Sequence, residues 1–133
     1  MSKSTYTDGS HAVLIVDATK QEVMQLRNDM PDWLWVEAPK NWPFDLEVKP
    51  ADRSFDAILV FAHRSQEDRS IRVCKCICEK KSMENVPLLL AASRYQMALG
   101  HEVRRLPRGE FIFTPIDENG LLDKTKETKS VSS

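Results

Sequence analysis

Phe55-Asp56-Ala57-Ile58-Leu59-Val60-Phe61-Ala62-His63-Arg64-Ser65 decides how the chain folds. Its short apolar run, rich in Ile, Leu, Val and Phe, reads as a strand buried on both faces. Such a strand belongs at the centre of a parallel sheet with helices above and below. The run stops at His63-Arg64, and Ser65-Gln66-Glu67-Asp68 predicts a helix start, with Ser65 as cap and an acid three residues on. Strand, crevice, helix is the geometry from which open α/β sheets present a ligand site or chemistry. Phe61 and Ala62 at the mouth of this strand supply no nucleophile, base or metal ligand.

The flanking segments repeat the pattern. Ala12-Val13-Leu14-Ile15-Val16 is an apolar strand ending in Asp17. Thr19 and Glu22 form a capping box for a helix carrying Val23, Leu26 and Met30, and Pro31 ends it. Trp33-Leu34-Trp35-Val36 is a second strand. Residues 39–54 hold Pro39, Pro43 and Pro50, which predicts an extended loop with at most one helical turn where a second helix would otherwise stand. After the central strand comes a helix over about 66–81, with Ile71, Cys74, Ile77 and Cys78 on one face.

Val86-Pro87-Leu88-Leu89-Leu90-Ala91 is a fourth strand. Ser93 and Gln96 box the start of a short helix that Gly100 is expected to end. A basic connection with His101, Arg104, Arg105 and Arg108 leads to Phe111-Ile112-Phe113-Thr114, the fifth strand. Asp117 caps the last helix, and Ile116 staples to Leu121. Residues 1–10 read as a flexible arm, 11–127 as one domain, and 128–133 as a disordered Ser/Thr tail.

Strands alternating with helices in this way predict a flavodoxin-like three-layer α/β/α sandwich, with a five-stranded parallel sheet in the order 2-1-3-4-5. In that order the first and third strands flank the switch point where a site belongs. Asp17 and Phe61 then lie side by side.

Composition narrows the function classes. At 133 residues with a formal charge of −1, the chain shows no electrostatic signature of nucleic-acid or anionic-membrane binding. Its apolar runs are too short to span a membrane, and no secretory leader pattern opens it. The three cysteines, at 74, 76 and 78, are too close to staple distant segments, and a reducing cytoplasmic setting fits them. On a helix, Cys76 points roughly 200° away from Cys74, so the three cannot converge on one ion. Cys74 and Cys78 are therefore core residues.

With these segments in order, the chain resembles a response-regulator receiver domain over residues 11–127. The likeness rests on Val13-Leu14-Ile15-Val16-Asp17, on Phe55-Asp56-Ala57-Ile58-Leu59-Val60, on Val86-Pro87-Leu88-Leu89-Leu90, and most of all on Phe113-Thr114-Pro115-Ile116-Asp117, which is similar to that family's Lys-Pro-Ile-Asp junction. The family's chemistry is aspartyl phosphorylation, which needs a carboxylate nucleophile, an acid pair for Mg²⁺, a hydroxyl and a lysine. Here the resemblance puts Phe61 at the nucleophile, Asp17-Ala18 at the acid pair, Ala92 (with Ser93 next to it) at the hydroxyl and Thr114 at the lysine. Phe111 stands at the aromatic switch position. A phenyl ring cannot form an acyl phosphate, and one carboxylate makes a poor Mg²⁺ site.

The resemblance thus implies a degenerate receiver, a pseudo-receiver without catalytic residues, metal or cofactor, acting through a protein partner or as a homodimer in two-component-type signalling. Its partner face is expected at the last two helices and the last strand, with Tyr95, Arg104 and Arg105, and Trp42 of Trp42-Pro43-Phe44 is either an exposed anchor for that partner or a buried cover over the sheet. Asp17 has a second reading, as a helix cap or cation ligand. His63 lies at the crevice with no nucleophile beside it. The rival from another class is a flavodoxin-like domain that binds a small ligand, or a minor enzyme, in the same crevice, though no Gly-rich phosphate loop is present. The segment can also be a domain of a longer chain with its tail as linker.

Overall fold

A computed structural model of the chain describes residues 11–45 and 54–132, the last of them beyond Thr125 as backbone alone. The expected N-terminal arm and residues 46–53 lie outside the described residues. Five strands, β1 (Ala12–Val16), β2 (Leu34–Glu37), β3 (Ala57–Phe61), β4 (Leu88–Ala92) and β5 (Gly109–Phe113), form one parallel sheet in the order β2-β1-β3-β4-β5. The helices are α1 (Lys20–Asp29), α2 (Glu67–Cys78), α3 (Met97–Arg104) and α4 (Glu118–Ser132).

Alternation along the strands builds two cores. Leu14, Val16, Ile58, Val60, Leu88 and Leu90 face one way, onto Ile71, Cys74 and Ile77 of α2 and Leu99 and Val103 of α3. Val13, Ile15, Leu59, Phe61, Leu89 and Ala91 face the other way, onto Val23 and Leu26 of α1 and Leu121 of α4. Every residue of β1, β3 and β4 is buried, as continuous apolar runs require. Each such Leu, Ile or Val side chain removed from water contributes about 1.5–3 kcal/mol.

Among the described residues after β2, the chain has a turn and no regular helix, as the prolines predict. The turn is closed by Asp45 N donating to the Asn41 carbonyl at 2.9 Å. Trp42 in that turn is 3% exposed and packs into the first core. Of the two readings of Trp42 the surface anchor therefore fails and the other holds: its side chain packs over the sheet.

Two local expectations are also corrected. Ser65 does not cap a helix. Arg64–Gln66 form a 3₁₀ turn, and α2 begins behind Gln66 without a side-chain cap, while the carboxylate of its first residue, Glu67, accepts from Gln96 Nε2 at 3.1 Å. Gly100 does not end α3 but lies inside it. A Cβ there would meet the Phe111 ring at 2.8 Å, so the glycine serves close packing, not termination. The backbone of α4 runs helical to Ser132. The capping boxes of Thr19–Glu22 and Ser93–Gln96 are present, and Asp117 Oδ1 accepts from Gly120 N (2.9 Å) at the start of α4.

Candidate functional site

The crevice lies at the C-terminal edge of the sheet. Val16 pairs with Val60, Phe61 with Ala91, and Ala92 with Phe113, so Asp17, Phe61, Ala92 and Thr114 line up along that edge. Sequence reasoning placed these residues together, and the topology does bring them there.

Their chemistry is set by partners that sequence reasoning missed. Asp17 has φ 61°, in the left-handed region that Asp tolerates better than most residues. Its carboxylate takes a two-pronged contact from Arg69, Nε to Oδ2 at 3.0 Å and Nη2 to Oδ1 at 3.2 Å. Asp17 thus neither caps α1, which Thr19 does, nor faces the crevice as a bare acid: a guanidinium occupies it. Arg69 also lies over the Phe44 ring, 5.5 Å from its centroid, which ties the turn after β2 to the end of β1. Arg69 falls on the polar stripe of α2, and nothing in the sequence distinguished it from a solvated charge.

The Asp17 carbonyl accepts from His63 Nε2 at 2.7 Å, which fixes the imidazole tautomer with its proton on Nε2. His63 therefore holds the β1 and β3 ends together. Phe61 is 4% exposed, its ring in the second core, and Ala18 packs at the margin of the same core. Ala92 is buried, and its carbonyl accepts from Thr114 N at 3.1 Å. Ser93, the hydroxyl next to it, accepts from Tyr95 N at 3.3 Å as a cap. Among the described residues no three His, Cys, Asp or Glu side chains are grouped as metal ligands.

Beside these residues opens a groove of about 360 Å³. Glu22, Gln25, Leu26 and Asp29 of α1 form one wall, Phe61 and Ala91 the floor, and Pro115 and Ile116 the other side. It exists because Ala62, Ala91 and Ser93 are too small to fill the space between α1 and the β5–α4 junction.

The expected partner face is mixed in character. Tyr95 is 89% exposed. Arg104 is engaged, its Nε 2.8 Å from Glu110 Oε1 and its guanidinium over the Phe111 ring, while Arg105 is exposed just after α3. Phe111 packs edge-to-face with Phe113 and against Gly100, which holds its ring inward. Exposed Met97 and Phe113 were not anticipated, because Phe113 lies on an edge strand and Met97 on the outer stripe of α3. The thiols do not converge: Cys74 is buried, Cys76 points at the Pro43 carbonyl and Cys78 at that of Pro107. Burial, then neighbouring Cys78 and Asp17, pushes the Cys74 thiol up to about 12.

No known family pattern and no curated protein sequence matches the chain. Solved structures do. A response regulator receiver protein from Pseudoalteromonas atlantica superposes with a TM-score of 0.66 at 17% identity, covering 92% of this chain and 99% of that one. The N-terminal signal receiver domain of a two-component response regulator from Bacteroides fragilis gives 0.65 at 13%, covering 91% and 98%. A structure described as adenylate cyclase, from Rhodopirellula baltica, gives 0.60 at 13%, covering 91% and 88%. Over nine-tenths of its length, the chain has the fold of a response-regulator receiver domain.

Proposed function

We propose that this chain is a receiver-fold regulatory module that works without aspartyl phosphorylation, in the cytoplasm, through a protein partner. Phe61 carries the reading. At the end of β3, where the receiver fold presents its phospho-acceptor, stands a buried ring in the hydrophobic core. Two further features support it. Ala18 replaces the second acid, and the remaining one, Asp17, already binds an internal cation, Arg69. A guanidinium there stabilises the crevice permanently, without waiting for Mg²⁺ and a phosphoryl group.

The partner surface is the α3–β5 side, where Tyr95, Met97, Phe113 and Arg105 are exposed together with paired Arg104. Exposed aromatic and Met side chains with arginine are the residue types that dominate interface energetics. Incubation with acetyl phosphate and Mg²⁺, followed by intact-mass measurement, tests the first half. The expected result is an unchanged mass, and a hydroxylamine-labile phosphoryl adduct refutes the reading. Beryllofluoride with Mg²⁺ is likewise expected to leave the amide shifts of Asp17, Phe61 and Thr114 in place.

A further inference from the structure

We infer that the groove between α1 and the β5–α4 junction is a binding site for a small aromatic amine, a ring system carrying a protonated amino group. The inference goes beyond the regulatory reading and does not depend on it.

Size is the first ground. At about 360 Å³ the groove falls within the range of small-molecule sites, and it exceeds by roughly twofold the ~150 Å³ cavity that admits benzene. Its floor is apolar. Phe61 and Ala91 sit side by side in register there, and Leu26 and Ile116 border the same groove, so a ring system meets apolar side chains, with only the margin of the 4% exposed Phe61 ring among them. Burial of that surface would release water from a concave apolar face.

Charge selects the amine. Two carboxylates, Glu22 and Asp29, stand one above the other on the groove face of α1. Neither meets a permanent cation. Glu22 Oε1 accepts from Thr19 N and lies 3.9 Å from His63 Nε2, whose proton is already given to the Asp17 carbonyl. Asp29 accepts from the neutral Gln25 amide at 2.9 Å through both oxygens. Against these two acids stands one guanidinium, that of exposed Arg64 on the opposite rim. Glu22 and Asp29 stand about 10 Å apart along α1, so an ammonium at this wall pairs with one and is attracted by the other at longer range, whereas an anion meets two like charges.

The test is an amide-shift titration of the whole chain with three probes of one shape: tryptamine, indolepropionamide and indolepropionic acid. Tryptamine is expected to saturate with shifts centred on Leu26, Phe61, Ala91 and Ile116. The amide should bind more weakly and the acid weakest. The double substitution Glu22→Gln with Asp29→Asn keeps the capping box and the Gln25 contact while removing both charges. It should weaken tryptamine about tenfold and leave the amide unchanged. Equal or tighter binding of the acid overturns the charge argument. Shifts centred away from the groove, or no saturation by any probe, overturn the site.

Discussion

Replacing Phe61 measures how much of the fold rests on the ring at the end of β3. The ring is 4% exposed and packs among Ile15, Leu26, Leu59 and Ile112, yet one side borders the groove. Truncating a buried Phe to Ala costs about 3–5 kcal/mol, and a ring already lacking partners on one side belongs at the low end, ~3 kcal/mol. With a urea dependence near ~1.5 kcal/mol per M, the midpoint of Phe61→Ala should fall by about 2 M.

Phe61→Asp restores the carboxylate of the family pattern but adds an unpaired polar group to the core, a further ~1–3 kcal/mol. The total of about 4–6 kcal/mol approaches the whole stability of a small domain. Burial raises a carboxyl's pKa in the folded state, so the folded form holds the proton more tightly. Relative stability is present below the unfolded carboxyl pKa and is lost as pH rises through the folded one. This variant should therefore be less destabilised at acid than at neutral pH. Urea unfolding followed by Trp fluorescence measures both. A Phe61→Asp protein that loses less than ~1 kcal/mol at neutral pH and takes up phosphoryl from acetyl phosphate would refute the claim that the site was converted into core.

Other perturbations probe different parts. The Cys74 thiol, raised to about 12, keeps its proton in the folded chain while the unfolded thiol loses its own near 9. Between those values stability should fall by about 1.4 kcal/mol per pH unit, a slope that Cys74→Val removes in alkaline unfolding curves. A Cβ at Gly109 would lie 2.0 Å from the Val103 carbonyl oxygen and close to other backbone. Gly109→Ala should thus cost ~3 kcal/mol or more in thermal or urea unfolding, since backbone yields less than a side chain. Arg69→Ala removes the paired contact to Asp17 and the Phe44 stack, both partly exposed, at about 1 kcal/mol. Arg69→Lys should recover only part of that in the same unfolding assay, because an ammonium cannot fork across both carboxylate oxygens.

Much of this architecture is legible in the residue order. The apolar runs at 12–16, 57–61 and 88–92, with capping boxes at Thr19 and Ser93, specify alternating strands and helices, since burial on both faces needs continuous apolar side chains. The same order puts a phenyl ring, Phe61, at the end of β3, and the resemblance to a known fold sets Asp17 beside it. What the sequence could not specify were contacts between segments distant in the chain. Trp42 is core because the turn after β2 lays it against side chains from β1, β3 and α2, far from it in the chain. Gly100 stayed inside a helix because Phe111, eleven residues on, needs its space. Arg69 is 52 residues from Asp17, and its role is set by where α2 docks, not by anything local.

By itself, then, the sequence determined the alternation of strands and helices and the phenyl ring at the end of β3, because both follow from periodicity and residue identity at successive positions, while the strand order came from the resemblance to a known fold. Only tertiary structure decided that Asp17 is neutralised by Arg69 and that α1 turns two acids toward an open apolar groove, because side-chain partnership depends on packing geometry between segments, which no local pattern encodes.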